Sequence, residues 1–420
     1  ASRLSVSTDR GKTFEFNPVI DCCEASNTIH IDIHSLWINP QDSRHLIVGN
    51  DGGIAISRDR GATWRYVRNL PLSQFYHIAV DNDHPYNVYG GLQDNGSWRG
   101  PAEVWENAGI RNLHWQEVGF GDGFDTLPDP ENSRQGYVMA QGGYLWRWNL
   151  DTGELRMIRP APPEPDIELR FNWNAGIAQD PFDPATVYYG SQFVHKSTDR
   201  GATWTAISGD LTSNNPDWQI YKESGGLTYD VTAAENFTTI IAIAPSPLER
   251  GTIWVGTDDG NVQLTRNGGR SWDNVVGNIE GVPKGTWVSR VEASPHDQGT
   301  AFITFDGHRR GDMSTYVYRT TDYGETWTSL ASETIEGYAW VIKQDPVNPD
   351  LLFLGTEEGL FISLDGGENW ARFTENLPQV AVHDLVVHPT EHDLVIGTHG
   401  RGVYIIDDIT PLRGLTQDII

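Results

Sequence analysis

One eight-residue phrase occurs six times in the chain and constrains its fold more than any other feature. Each copy holds a hydroxyl residue, Asp or Asn, Gly, a second hydroxyl residue or Asn, and a closing aromatic residue. The run before each copy alternates apolar and polar residues, which is typical of a strand. The Asp carboxylate can accept from nearby backbone N–H groups, and Gly takes positive φ without strain. The phrase therefore predicts a tight turn between two strands, with a structural role for Asp9, Asp59, Asp199, Asn267, Asp322 and Asp365.

A longer repeat surrounds the phrase. Residues 345–370 read as a strand ending in Asp-Pro, a short turn, a strand ending in Gly-Thr, a loop, a third strand and the phrase. The same order occurs at 38–64, 179–204 and 244–272. Each repeat thus predicts four short strands joined by tight turns, and an array of such units is the signature of a β-propeller.

The number of repeats predicts how the array closes. Two further repeats without the phrase lie at 74–98 and 125–153, and the last repeat, 382–408, has three strands. We expect residues 1–18 to complete this last blade (382–410) by ring closure, because pairing the chain ends satisfies both strand edges. The prediction is an all-β fold: one closed propeller over residues 1–420 with eight four-stranded blades. Seven blades are the alternative, and the Asp turns lie on the bottom face.

Charge and composition limit the classes of function that are expected for this chain. The formal net charge is −27, which disfavours nucleic-acid binding. No apolar run approaches ~18 residues, so no membrane span is expected. The acidic surface suits a secreted, periplasmic or cell-surface protein, although the opening residues, ASRLSVSTDRG, contain no signal peptide. Cys22 and Cys23 are adjacent, and a disulfide between neighbours is strained. Free thiols, such a disulfide and a metal role stay open.

The loops expected on the top face carry the candidate site residues. His30, Asp32 and His34 alternate, so a strand would point all three in one direction. Two imidazoles and a carboxylate suit a divalent metal, and the alternative is that they line a wet channel. Ring closure would bring them beside Asp51, His399 and Arg401.

Other top-face loops hold acids, histidines and arginines that no strand requires. Asp258, Asp259 and Asn261 offer oxygen ligands of the kind calcium takes, or form a solvated turn. No cofactor is required. His308, Arg309, His399 and Arg401 could clamp a carboxylate of a ligand or pair with the acidic loops. The predicted ligand-binding residues are His30, Asp32, His34, Asp51, Asp94, His308, Arg309, His399 and Arg401.

Glycoside hydrolysis needs two carboxylates about 5–10 Å apart across a sugar. The top-face candidates are Asp51, Asp94, Asp122, Asp258 and Asp306, and no pair stands out among them. Aromatic residues near the blade connections could stack on sugars or pack between blades. These residues are Tyr76, Trp98, Trp173 and Trp287.

The linking phrases make a family resemblance specific. They include HSLWINPQDSRHLIVGNDGG, QFYHIAVDNDHPYNVYGGLQDNG, IWVGTDDGNVQLTRNGG, VHDLVVHP and GTHGRGVYIIDDITPLR. Over nearly the whole chain they resemble secreted bacterial Asp-box (BNR) repeat proteins with sortilin-type propellers, often named glycosyl hydrolases. A more distant resemblance is to the xyloglucanase-type hydrolases of glycoside hydrolase family 74. In those enzymes two propellers face each other across a cleft. The resemblance implies a partner propeller upstream in the same protein and assigns no catalytic residue.

Two functions follow from the sequence. The first is an extracellular propeller module whose acidic top face binds a glycan, a peptide or a partner domain. The alternative is a glycoside hydrolase whose cleft is shared with another propeller.

Overall fold

The protein is described by a computed structural model that covers residues 4–16, 29–219 and 236–415. These residues form nine antiparallel sheets: seven of four strands, one of three and one of two. One short helix follows the last strand, α1 (Thr410–Arg413). The all-β prediction is confirmed, and the arrangement is propeller-like. No helix in the described ranges is long and apolar enough to cross a membrane.

The chain divides into two compact units, Ala1–Leu72 and Ser73–Ile420. The first unit holds a two-stranded sheet, β1–β2, and a four-stranded sheet, β3–β6. Its strands are β1 (Ser5–Val6), β2 (Glu15–Phe16), β3 (Ile33–Ile38), β4 (Leu46–Asn50), β5 (Gly53–Ser57) and β6 (Arg65–Tyr66).

The second unit holds seven sheets, named A to G in chain order, and strands that are consecutive in the chain pair within each sheet. Sheet A contains β7 (Phe75–Val80), β8 (Asn87–Leu92), β9 (Ser97–Pro101) and β10 (Gln116–Gly119), and sheet B contains β11 (Gly123–Asp129), β12 (Asn132–Ala140), β13 (Tyr144–Asn149) and β14 (Glu154–Met157). Sheet C contains β15 (Ile177–Asp180), β16 (Asp183–Gly190), β17 (Val194–Ser197) and β18 (Thr205–Ala206), and sheet D contains β19 (Ile240–Pro245), β20 (Ile253–Thr257), β21 (Val262–Thr265) and β22 (Asp273–Asn274). Sheet E contains β23 (Trp287–Ala293), β24 (Ala301–Asp306), β25 (Tyr316–Thr320) and β26 (Thr328–Ser329), and sheet F contains β27 (Ala339–Gln344), β28 (Leu352–Thr356), β29 (Gly359–Ser363) and β30 (Ala371–Phe373). Sheet G contains β31 (Val382–Val387), β32 (Leu394–Thr398) and β33 (Gly402–Ile406).

In five of its six copies the repeated phrase forms the connection between the third and fourth strands of a sheet, and the first copy connects β1 and β2. In sheet C, Asp199 Oδ1 accepts from the backbone N–H of Thr203 at 2.8 Å, and Ser197 Oγ donates to the same oxygen at 2.8 Å. Arg200 and Gly201 take φ of 55° and 81°, the left-handed region that a tight turn requires. Hydrogen bonds from Thr203 and Ser197 lower the pKa of the Asp199 carboxyl to about 2. Equivalent bonds surround Asp9, Asp59, Asn267, Asp322 and Asp365.

The closing Trp of the phrase joins neighbouring sheets. Trp204 Nε1 donates to the carbonyl of Ile158, at the end of sheet B, at 2.6 Å. Trp370 Nε1 donates in the same way to the carbonyl of Leu330, at the end of sheet E, at 3.0 Å. In sheets C and F the phrase therefore closes one sheet and fixes it to the sheet before it.

The first and last sheets of the second unit are also in contact. The backbone N–H of Ile78 donates to Asp384 Oδ2 at 2.9 Å, and the hydroxyl of Tyr86 donates to Asp393 Oδ2 at 2.8 Å. The core between them includes Ile78, Tyr86 and Val395. Sheet G has three strands within the described residues, and β1 pairs with β2. Completion of the last blade by residues 1–18 stays a prediction, and Cys22 and Cys23 lie outside the described residues.

Candidate functional site

A break in strand register recurs near the start of the first strand of most sheets. In sheets E, F and G the register shifts between Val288 and Arg290, between Ala339 and Val341, and between Val382 and Asp384. In sheets A and B it shifts between Phe75 and Ile78 and between Gly123 and Thr126. A bulge leaves its extra residue out of the ladder and re-aims the side chain. Sheet D has the same shift, between Ile240 and Ala242, which leaves out Ile241. The residues left out of the ladder in the other five sheets are Tyr76, His77, Phe124, Asp125, Ser289, Trp340 and His383.

Six of these seven bulge residues line one cavity in the second unit; the seventh, Asp125, pairs with His77. The cavity volume is about 300 Å³. Strand β23, loops between sheets and the second-to-third strand loops of sheets A and E supply the rest of its wall. The full lining is Tyr76, His77, Gln93, Asp94, Asp122, Phe124, Asn172, Trp173, Asn174, Trp287, Ser289, Arg290, Arg309, Trp340 and His383.

Stacked rings run along one side of the cavity. The imidazoles of His383 and His399 lie 4.3 Å apart and nearly parallel, and Trp340 lies 4.0 Å from His383. Tyr76 joins His399, at 5.2 Å, to Phe124, at 4.4 Å. These contacts hold the rings of Tyr76 and Trp340 in fixed positions in the cavity wall.

The imidazole of His383 is neutral in this environment. Burial lowers its pKa well below 6.5, and the neighbouring His399, His77, Arg290 and Arg309 lower it further. A neutral ring can stack without carrying an unpaired buried charge.

Two residues of the cavity lining, His77 and Arg290, form ion pairs. His77 Nδ1 lies 2.8 Å from Asp125 Oδ2, and Arg290 lies 2.8 Å from Asp384 Oδ1. His77 and Arg290 also border a second cavity of about 500 Å³, which is walled largely by Ala, Pro and Ile residues. The charged groups therefore lie where the two cavities approach each other.

A buried carboxylate holds the wall that sheet E supplies. The Asp306 side chain is fully buried; it pairs with His308 Nδ1 at 2.6 Å and with Arg309 at 2.7 Å. The guanidinium of Arg309 lies over the Trp287 ring, 4.1 Å from its centre. His308 stacks on Tyr338 at 4.6 Å. Asp306 thus orients Arg309, which lines the cavity, and His308 beside it, and Asp306 does not line the cavity itself.

Asp94 and Asp122 are the two predicted catalytic candidates that line the cavity. The backbone N–H of Asp94 donates to Asp122 Oδ1 at 2.9 Å. Asp94 has φ of 60°, and the backbone N–H of Asp122 donates to Gln141 Oε1 at 2.9 Å. The structure therefore brings together two of the five acids proposed from sequence.

Arg309 is the third predicted site residue in the cavity lining, and the remaining candidates do not line the cavity. Asp258 is fully buried behind Asn172, and Asp306 is committed to its two ion pairs. His399 belongs to the stacked rings. Arg401 is exposed, and its backbone N–H donates to Thr398 Oγ1 at 3.1 Å.

The predicted alternation of His30, Asp32 and His34 is wrong. Strand β3 begins at Ile33, and Asp32 has φ of 59°, so the three residues do not share an extended strand. His34 pairs with Asp51 at 2.6 Å. In the described parts of the chain no group of three or more His, Cys, Asp or Glu side chains is arranged to hold a metal ion, so the predicted cation site has no support here. Proximity of these residues to His399 and Arg401 stays a prediction.

Apart from Tyr76, sequence analysis missed the bulge residues, because a bulge depends on how two strands pair. A weak signal was present: the first strands carry adjacent polar or bulky residues that break strict alternation, as in Tyr76-His77 and His383-Asp384. An interrupted alternation of this kind is compatible with an inserted residue.

Comparison with known proteins places the chain among distant relatives of xyloglucanases. It is 24% identical over 325 residues to an oligoxyloglucan-reducing end-specific xyloglucanase of Emericella nidulans, covering 71% of the chain and 34% of that protein. It is 22% identical over 424 residues to a xyloglucanase of a Paenibacillus species, covering 86% of the chain and 35% of that protein. The chain spans about a third of the length of these relatives. No family model matches it.

A solved structure supports the fold. The extracellular domain of a putative one-component system from B. thetaiotaomicron matches 97% of the chain and 50% of that structure, with a TM-score of 0.53 and 14% identity. The distant resemblance to xyloglucanase-type hydrolases is confirmed, and the relationship is glycosyl hydrolase-like.

Proposed function

We propose that the second unit binds a polysaccharide chain in the cavity between Trp173, Trp287 and Trp340 and belongs to a glycoside hydrolase. The observation that carries this proposal is the combination of aromatic rings with carboxylates and amides in the lining of one cavity. Aromatic rings offer apolar faces to the C–H faces of sugars, while a few fixed polar groups orient the hydroxyls. The similarity to xyloglucanases supports a β-glucan-type substrate and favours the hydrolase over a module that only binds.

Asp94 and Asp122 are the proposed catalytic carboxylates of this unit. Because the Asp94 backbone donates to the Asp122 carboxylate, bond lengths limit the separation of the two carboxyl groups to roughly 7 Å. Pairs about 5–5.5 Å apart act with retention of configuration, and pairs about 6.5–9.5 Å apart leave room for a water molecule and invert it. One carboxyl would protonate the leaving oxygen while the other attacks the sugar or activates water.

The fold of this unit is proposed to be a closed propeller of seven blades, sheets A to G. Support comes from the hydrogen bonds and shared core between sheets A and G. The Asp turns would lie at the opposite face from the cavity. This choice takes the seven-bladed alternative for the second unit in place of the eight-bladed ring.

A further propeller of the same protein remains the proposed partner. Support comes from β3 of the first unit, where Leu36, Trp37 and Ile38 are 45%, 46% and 51% exposed. Consecutive strand residues point to opposite faces, so both faces of this strand present apolar side chains to solvent. Blades of another propeller would cover both faces. Secretion is also proposed, because the chain resembles secreted bacterial Asp-box repeat proteins.

The test is titration calorimetry with xyloglucan oligosaccharides, followed by release of reducing sugar. Trp287→Ala should weaken binding at least ten-fold, as loss of a central aromatic anchor does. Trp105→Ala is the matched control, since Trp105 is 97% exposed and does not line the cavity, and it should bind normally. Asp94→Asn and Asp122→Asn should bind the oligosaccharide and release no sugar.

Two outcomes would change the conclusion. Binding that survives Trp287→Ala would place the ligand outside this cavity. Binding without any release of sugar, in the wild type and in a preparation that includes the partner propeller, would return the protein to the binding-module alternative.

A further inference from the structure

A buried carboxyl lies one layer behind the cavity wall. Asp258 is fully buried in the second-to-third strand loop of sheet D. Its Oδ1 accepts from the backbone N–H of Thr239 at 2.8 Å. Its Oδ2 accepts from Thr239 Oγ1 at 2.7 Å and from Asn172 Nδ2 at 2.9 Å. Three donors therefore converge on this group.

Asn172 connects that carboxyl to the cavity. Its amide nitrogen is held by Asp258, and its Oδ1 accepts from the backbone N–H of Trp173 at 2.8 Å. Asn172, Trp173 and Asn174 all line the cavity. Because both ends of the Asn172 amide are engaged, its orientation fixes the path of the chain through Trp173.

We propose that Asp258 is a positioning residue of the ligand site, which acts through Asn172 to hold Trp173 in the cavity wall. The proposal rests on the proposed function in one respect, that the cavity binds a glycan. Asp258 contacts neither the cavity nor a ligand within it, so its role is to place the aromatic ring.

The charge of Asp258 gives this role a pH signature. Burial raises its pKa to about 7, against the hydrogen bonds from Thr239 and Asn172, which lower it; the neighbouring Asp259 raises it further. Asp259 itself accepts from the backbone N–H of Ser213 at 2.6 Å and from Thr257 Oγ1. Arg170, on the Asn172 segment, is paired with Asp210 at 2.7 Å. The groups of Asn172 and Thr239 that bond to Asp258 are uncharged hydrogen-bond donors.

Protonation of Asp258 weakens its hydrogen bond with Asn172. Above pH 7 the carboxylate is ionised and its bond from Asn172 is charge-assisted; below pH 7 the same bond is an ordinary one, about half as strong. The Thr239 hydroxyl can reverse its direction, whereas Asn172 can reverse only by turning its amide over and losing the Trp173 bond. Glycan affinity should therefore fall about three-fold between pH 8 and pH 6.

The decisive variant is Asp258→Asn, which keeps the size of the side chain. Its NH₂ group faces donors, so Asn172 must turn over. Affinity for xyloglucan oligosaccharide should drop about ten-fold at pH 8, and its change between pH 6 and pH 8 should disappear. Asp365→Asn, in the turn of sheet F, is the control and should keep the wild-type affinity and pH profile.

A second readout needs no ligand. Emission from Trp173, obtained as the difference between the protein and its Trp173→Phe variant, should titrate with a midpoint near pH 7. Thr239→Val removes a hydrogen bond that lowers the pKa, so it should move this midpoint to higher pH. This nearly isosteric variant keeps the test available if Asp258→Asn does not fold.

The two readouts separate two failures. If the protein binds no glycan but Trp173 titrates and responds to Thr239→Val, the positioning role stands and the proposed function falls. If Asp258→Asn binds glycan with unchanged affinity and pH profile, or if Trp173 emission does not respond to pH near 7, the positioning role is overturned.

Discussion

Sheet β3–β6 of the first unit and sheet F of the second are built alike but surrounded differently. Both carry the repeated phrase, and both have a register shift after the first residue of the first strand, between Ile33 and Ser35 and between Ala339 and Val341. Yet Leu36 is 45% exposed, whereas Ile342, at the matching position of β27, is fully buried. The same local structure is thus core in the second unit and surface in the first, because side chains of sheet F pack against both sheet E and sheet G.

The largest expected contrast is in core truncation. Ile342→Ala should lower the free energy of unfolding by about 2–5 kcal/mol, since it leaves a cavity among packed side chains. Leu36→Ala should cost less than about 1 kcal/mol, because much of that side chain is in water already. Urea unfolding followed by Trp fluorescence measures both losses, and hydrogen exchange assigns them to the correct unit. Equal losses would show that β3 is as well packed as β27.

A second contrast concerns the bulge position itself. His383 is buried against Trp340 and His399, while His34, at the matching bulge of the first unit, has a side chain that is 68% exposed. His383→Ala should reduce oligosaccharide affinity about ten-fold or more by removing the stacked surface. His34→Ala and Arg401→Ala should leave affinity unchanged. Calorimetry below the melting temperature of each variant distinguishes lost binding from lost folding. Weakened binding in His34→Ala would restore the site predicted from sequence.

The smallest expected effect is common to both units. Hydrogen bonds in the Asp turns, from Thr13 first in one case and Thr203 first in the other, lower the pKa values of Asp9 and Asp199 to about 2. A lowered folded-state pKa adds stability above the unfolded value of 3.8, and this stability is lost as pH falls toward 2. Asp9→Asn and Asp199→Asn should each slightly reduce the loss of stability that occurs as pH falls from 3.8 toward 2, and to a similar extent. Melting temperatures measured across this pH range test the prediction. A large difference between them would mean that the turns are not equivalent.

The sequence alone determined the strands and turns within each repeat of this protein. The repeated phrase predicted four-stranded units and the turns around Asp199 and its equivalents, because the relevant bonds join residues only two to four positions apart. The cavity wall was partly foreseen: Asp94, Asp122 and Arg309 lie on loops that the repeat places together. Trp173 lies on a connection between sheets, and Trp287 is the first residue of β23.

Only the tertiary structure decided which of these residues meet. A bulge depends on how two strands pair, so Trp340 and His383 could not be distinguished from ordinary strand residues by their spacing. Burial depends on which sheet covers a face. The sequence therefore predicted Asp258 and Asp306 in exposed loops, whereas the structure buries both behind the cavity wall. The same reason explains why β3 and β27 differ in burial. Their sequences specify the same strand pairing and the same turn, but burial is determined by residues that are distant in the chain.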